Sequence, residues 1–260
     1  MPSLVDSHCH LTLLEQDLNE VMANAAEQGV EHMLCVSIDL ETYPQILQLA
    51  KQHGNVSASV GIHPNTETSG EPSVQDIAGL ATAPEVVAIG ETGLDYYRSE
   101  GDLEWQRERF RNHIRAAKTV KKPLIIHSRD SGKDLMKILK EEGAEDVGGV
   151  MHCFVDDWET ARQAMDMNFY ISFSGIVTFK SAIAVQEVAK QVPQDRLLVE
   201  TDSPYLAPVP CRGKPNQPAY VRYVAEFLAQ LRGEKYEDVA HHTTDNFYTL
   251  FISNAKTQSA

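Results

Sequence analysis

The sequence predicts an α/β chain of the (β/α)8 TIM barrel class, eight parallel strands each followed by a helix. Three observations predict it. Short apolar, β-branched runs recur along the chain, and their ends fall about 28 residues apart on average, the length of one strand–helix unit. Helical patterns fill the gaps between them. The runs also end in His, Glu and Asp, residue types that a barrel of this kind gathers at its C-terminal rim.

The elements follow in order. The first run, at 4–5, leads into His8-Cys9-His10. A helical pattern at 18–28 stops at Gly29, and the second strand pattern covers 32–38. A helix at 43–53 stops at Gly54 before strands at 56–62 and 86–89. The longest helical pattern, 103–118, sets Trp105, Phe110, Ile114 and Ala117 on one face. Strands at 124–127, 149–153, 169–173 and 197–199 then alternate with helices at 131–142, 158–167, 181–191 and 219–231. Each strand run is near-continuously apolar and bounded by Gly, Pro, Asp or Ser, which reads as a buried parallel strand. An open doubly wound sheet would carry a Gly-rich phosphate loop after its first strand, and here that place holds histidines.

Composition bounds the rest. The 260 residues are 42% apolar and 23% charged, which excludes global disorder. They are expected to form a single barrel domain over 1–260, with a polar tail at about 253–260. No apolar run reaches the roughly 18–20 residues of a membrane helix. The N-terminus has no basic or apolar secretory pattern. Cysteines 9, 35, 153 and 211 form no CxxC pair, so a cytoplasmic location is expected. A net charge of −14 argues against a surface that coats nucleic acid, yet leaves room for a pocket that grips one phosphate.

The strand ends carry the chemistry. His8, His10, Glu91, His127, His152 and Asp202 all end strand patterns and would converge on one rim. Residues i and i+2 of a strand share a face, so His8 and His10 can chelate one ion while Cys9 points away. Cys153 is expected to alternate out of the site in the same way. Six such groups are too many for one tetrahedral site but suit two ions about 3.5–4 Å apart, and a carboxylate such as Glu91 can bridge them. Mixed imidazole and carboxylate ligands are compatible with Mg, Mn, Zn or Ni. Glu200, two residues before Asp202, reads either as a group that orients a ligand or as part of a core ion pair. Asp95, His32, His53, His113 and the His241-His242 pair read as structural or surface residues.

Taken in order, these segments resemble the TatD family of metal-dependent deoxyribonucleases: Val5-Asp6-Ser7-His8-Cys9-His10-Leu11, Gly61-Ile62-His63-Pro64, Gly90-Glu91-Thr92-Gly93-Leu94-Asp95-Tyr96-Tyr97, His127-Ser128-Arg129-Asp130, His152-Cys153-Phe154 and Glu200-Thr201-Asp202-Ser203-Pro204-Tyr205-Leu206. Thr243-Thr244-Asp245-Asn246-Phe247 is similar to the family's C-terminal element. The resemblance implies two divalent ions and phosphodiester hydrolysis. His8, His10 and Asp202 would hold one ion, His127 and His152 the other, with Glu91 bridging. It also implies that His63 and Arg129 face the substrate phosphate. The loop Arg212-Gly213-Lys214-Pro215-Asn216 can add phosphate contacts.

The expected activity is removal of nucleotides from the 3′ end of single-stranded DNA, by attack of a water made nucleophilic by the ions. Arg129 would stabilise charge on the phosphoryl oxygens, and Asp202 or His63 would take or relay a proton. The alternative is hydrolysis of an amide or ester, such as the aminoacyl ester of a mischarged tRNA. No membrane or obligate protein partner is expected.

Overall fold

Eight strands pair in chain order in one sheet: β1 Leu4–Cys9, β2 Val30–Cys35, β3 Val56–Val60, β4 Val86–Asp95, β5 Leu124–Arg129, β6 Gly149–Met151, β7 Phe169–Phe173 and β8 Leu197–Val199. The computed structural model describes residues 2–253. Every neighbouring pair is parallel. The seam between first and last strands closes just beyond β8. There the Asp202 N–H donates to the His8 carbonyl at 2.9 Å and the His10 N–H to the Ser203 carbonyl at 2.8 Å. The expected (β/α)8 barrel is therefore what the chain forms, and the seam runs through candidate site residues.

The connecting helices are α1 Leu18–Glu27, α2 Tyr43–Gln52, α3 Val74–Leu80, α4 Glu104–Val120, α5 Gly132–Glu141, α6 Trp158–Asp166, α7 Ile183–Gln191 and α8 Val221–Arg232, followed by α9 Tyr236–Phe247. Two of these, α3 and α9, had no counterpart in the sequence patterns. Helix α3 is short, but it starts on a reciprocal cap in which Ser73 and Asp76 each bond the other's backbone. Helix α9 runs through His241-His242-Thr243-Thr244, weak helix formers held by packing.

Apolar side chains form two layers. The larger lies between sheet and helices. The smaller fills the barrel where the strands start: Val5, Val87 and Ile125 meet Phe247, Leu250 and Phe251 from the end of the chain. The end of the barrel opposite the polar rim is thus closed with hydrocarbon, and the rim is the accessible end.

Several strands differ in extent from the sequence patterns. Strand β4 continues past Ile89 to Asp95 because it keeps pairing with β5, up to Asp95 opposite Arg129. Gly93 permits this. A Cβ there would lie 2.0 Å from the His127 carbonyl oxygen, and its φ of +140° disfavours a side chain. Strand β1 reaches Cys9, with a register shift between Asp6 and Cys9. Such a bulge re-aims side chains next to a site. Val5 packs inward and Cys9 outward, leaving His8 and His10 to face the rim. Among the described residues no helix is long and apolar enough to cross a membrane. Of the expected polar tail, Ser253 ends the last helical segment, and 254–260 lie outside the described residues.

Candidate metal centre

The barrel mouth holds a cavity of about 560 Å³, lined by His10, His63, Glu91, His127, Arg129 and Asp202 among others. His8 lies beneath its floor, fully buried.

Glu91 organises the centre, and its two oxygens face two different sets of groups. Oε1 is 3.0 Å from His127 Nδ1 and 2.8 Å from His152 Nε2. Oε2 is 3.4 Å from His8 Nε2 and 3.8 Å from His10 Nε2. Asp202 Oδ1 completes the second set, 3.7 Å from His8 Nε2 and 3.4 Å from His10 Nε2. The rings of His8 and His152 stack at 3.9 Å between the two sets.

The far edges of the imidazoles fix which nitrogen faces inward. His10 Nδ1 donates to the Val36 carbonyl at 3.0 Å. His152 Nδ1 lies 3.2 Å from Glu200 Oε1, and His127 Nε2 lies 3.2 Å from Asp95 Oδ2. When these outer nitrogens carry the proton, the inner nitrogen of each neutral ring is a bare lone pair. The lone pairs of His127 and His152 aim at Glu91 Oε1, and that of His10 faces His8 Nε2 across 3.3 Å. Lone pairs so crowded in a buried site repel unless positive charge sits among them. Protons or cations can supply it, and the donor set of imidazole nitrogens and carboxylate oxygens fits a divalent metal.

The titration behaviour carries the same demand. Burial alone would lower the pKa of His152, but the carboxylates of Glu91 and Glu200 more than reverse this, and it stands well above the ordinary histidine value. Burial is likewise overcome at His10 by Asp202, and at His127 by Asp95 and Glu91. Burial would raise Glu91, yet the surrounding histidines hold it well below the usual carboxylate range. His8 moves the other way, lowered by burial and by His152.

His63 stands apart. Its ring packs edge-on to His127 at 4.5 Å, and its Nε2 is 3.6 Å from Glu91 Oε1. Its Nδ1 accepts the Asn65 N–H at 3.1 Å, so the neutral ring carries its proton on Nε2. Burial lowers its pKa to about 4, which keeps the ring neutral. It therefore presents a donor to the cavity rather than a lone pair, which suits a substrate oxygen better than a cation.

All six predicted ligand residues and His63 come together, and Arg129 lines the same cavity with its guanidinium 4.0 Å from the Tyr97 ring centre. Arg212 is not brought in; it is exposed, its guanidinium 3.9 Å from the ring centre of Phe179. Asn216, in the same loop, is buried and donates to the Thr201 carbonyl at 2.9 Å, so it braces the loop instead of facing solvent.

Two further residues differ from expectation. Asp95, read as structural, lines the cavity and touches His127; it shares the Glu91 face of β4 because four residues along a strand return to the same side. Cys153, expected to point away, also lines the cavity. Strand β6 ends at Met151, and Cys153 has a left-handed φ of 44°, so strand alternation no longer applies. Glu200 is fully buried; its Oε1 lies against His152 Nδ1 and also accepts the Cys153 N–H at 2.8 Å, a contact compatible with either of its expected roles.

The sequence pattern of the family described as TatD related DNase matches residues 5–252. The chain belongs to the TatD family of metal-dependent hydrolases. This TatD-family chain is 49% identical over 258 residues to the uncharacterized metal-dependent hydrolase YcfH of Escherichia coli, covering 97% of each chain. It is 31% identical over 242 residues to the 3′-5′ ssDNA/RNA exonuclease TatD of Salmonella typhimurium, covering 91% of this chain and 93% of that one. Its fold superposes on the crystal structure of YjjV, a TatD homolog from Escherichia coli, with a TM-score of 0.89 at 28% identity, over 95% of this chain and 97% of the other.

Proposed function

We propose that this TatD-family hydrolase removes nucleotides from the 3′ end of single-stranded DNA, using two divalent ions. One ion would be held by His8, His10 and Asp202, the other by His127 and His152, with Glu91 shared. The observation that carries this reading is the division of the Glu91 oxygens between two imidazole sets, 2.8–3.0 Å on one side and 3.4–3.8 Å on the other. When bound, the ions would acidify a water and neutralise charge on a phosphodiester.

The protein's own residues supply the rest. Arg129 lies over Tyr97 on the cavity wall, where its fork can hold non-bridging phosphate oxygens. His63 Nε2–H can donate to a third oxygen. Asp202, the most accessible carboxylate of the set, can accept the proton of the attacking water. A cavity of about 560 Å³ at a barrel mouth suits a chain end better than a duplex. The Salmonella relative is named a 3′-5′ ssDNA/RNA exonuclease, which supports a 3′ start.

The test incubates metal-stripped protein with each divalent ion in turn and four substrates: end-labelled single-stranded DNA, RNA, a circular single strand and an aminoacyl ester. Metal-dependent shortening from the 3′ label, with the circle resistant, is the expected result. Cutting of the circle would reveal an endonuclease. Turnover of the ester alone would move the reading to acyl chemistry, which the same centre could serve with a carbonyl oxygen in place of the phosphoryl oxygen.

A further inference from the structure

Beside the central cavity lies a second chamber of about 490 Å³. The two share Asn65, Thr66 and Arg98 as a common wall, so a chain molecule can lie in both at once.

The far wall of this chamber is an aromatic shelf. Trp105, at the start of α4, is 42% exposed. One face of its indole rests on Arg109, whose guanidinium lies 4.9 Å from the ring centre. Arg109 is itself immobilised: only 3% exposed, it donates to Glu71 Oε2 at 2.8 Å and to the carbonyls of His63 at 3.1 Å and Thr66 at 2.8 Å. An indole backed by a fixed guanidinium and still 42% exposed can serve as a stacking surface for a flat π system.

Hydrogen-bonding groups surround that surface: Asn65, Thr66, Thr68 and Ser99. Asn65 links the chamber to the centre, since its amide donates to Asp95 Oδ2 at 2.8 Å and accepts from the Ser99 hydroxyl at 2.8 Å. The charge is wrong for a phosphate. Glu67 and Glu100 line the chamber, while Arg109 is taken up by Glu71. Carboxylates repel a phosphodiester but accept from exocyclic amino groups. Arg98, on the shared wall, has no side-chain hydrogen bond or ion pair among the described residues, and it is exposed.

We propose that this chamber is a nucleobase subsite. The base of the nucleotide next to the one at the centre stacks on Trp105, and Arg98 meets the phosphate that links the two. The inference rests on the nucleic-acid reading above.

Two measurements test it together. The first compares Trp105→Ala with the parent on a short single strand and on the same strand made abasic at the neighbouring nucleotide. Loss of one base–aromatic stack should lower kcat/KM roughly 10- to 100-fold on the intact strand. On the abasic strand the parent should fall to the level of the variant, leaving little difference between them. A general folding defect would instead lower both substrates by the same factor, and would overturn the proposal. Arg98→Ala should lower both strands alike, with partial recovery in Arg98→Lys, because its contact is the phosphate; no loss in Arg98→Ala would remove it from the subsite.

The second measurement reads binding without turnover. In a Trp158→Phe background the remaining emission comes from Trp105. A phosphorothioate-linked dinucleotide should quench it in metal-loaded protein, and an abasic analogue should not. Quenching with no cleavage of any phosphodiester would leave the subsite standing and sink the nuclease reading. Cleavage that Trp105→Ala does not touch, without quenching, would do the reverse.

Discussion

Asp95 Oδ2 lies 3.2 Å from Nε2 of His127, on the edge of the ring opposite Glu91. The carboxylate is fixed from three other directions: Oδ1 accepts the N–H groups of Tyr97 at 3.0 Å and Arg98 at 2.9 Å, and Oδ2 accepts the Asn65 amide. A carboxylate so held sets both the tautomer and the tilt of the imidazole it touches, turning Nδ1 toward Glu91. Loss of such an outer partner typically weakens metal binding about 10–100-fold. Asp95→Ala should therefore weaken the ion proposed at His127 and His152 by roughly that factor, and the one proposed at His8 and His10 much less. Asp95→Asn, which can still accept through its amide oxygen, should lose less. Metal titration followed by calorimetry reads both affinities, and equal loss at the two positions would count against a local orienting role.

Glu91 contacts both sets of ligands, whereas Arg129 reaches the cavity from one wall. Glu91→Ala should then reduce turnover more than Arg129→Ala, even with metal saturating. Removing a single transition-state contact costs roughly 10²–10³-fold in rate, which is the scale for the arginine variant. Side-by-side rates settle the order, and a milder loss at Glu91 would reject its shared role.

Much of this centre was legible because a polar residue at the end of an apolar strand has few reasons to be there. His8, His10, His127 and His152 announce themselves that way, and a parallel barrel leaves them one place to meet. Asp95 was hidden because β4 reads as ending at Ile89. The alternation of Glu91, Gly93 and Asp95 was the available signal, but two glycines in six residues look like a turn. Cys153 differs for the opposite reason: strand alternation does not hold two residues beyond the end of β6 at Met151. The position of Arg212 depends on the path of a loop and on a stacking contact with Phe179, neither of which leaves a period in the sequence. Trp105 was read correctly as lying on a helix, but its contact with Arg109 leaves it at the edge of a chamber instead of in the core.

His113 offers a pH test that avoids the metal centre. It is fully buried, its Nδ1 donates to the Arg109 carbonyl at 2.8 Å and its Nε2 accepts the Ile62 N–H at 3.0 Å. Both nitrogens are used by the neutral ring, and burial lowers its pKa from 6.5 to about 4. Between those values the unfolded chain binds a proton that the folded protein does not, so stability falls as pH drops from 6.5 toward 4. The stability at stake is about 3 kcal/mol. His113→Gln can keep one donor and one acceptor, and it should flatten that part of the profile. The check is the midpoint of thermal unfolding against pH, in chelator, for both proteins. An unchanged slope in the variant would place the acid sensitivity elsewhere.

The last prediction concerns how much of a strand the protein holds. Its net charge is −14, and the cationic groups at the rim are few: Arg98 and Arg129 at the cavity, with Arg212 and Lys214 exposed on the loop beyond β8. Each phosphate neutralised on a single strand contributes about −0.7 to the slope of log affinity against log salt. Two or three contacts give a slope near about −1.5 to −2, shallow beside a protein that coats its substrate. The titration is run with metal saturating at every salt concentration, because salt also weakens metal binding. Neutralising Arg98 should make the slope shallower by about one contact, roughly 0.7, while neutralising Lys214 should matter only if the loop closes over the strand. A slope steeper than about −4 would require an extended cationic track and would overturn the small set of contacts expected from a net charge of −14.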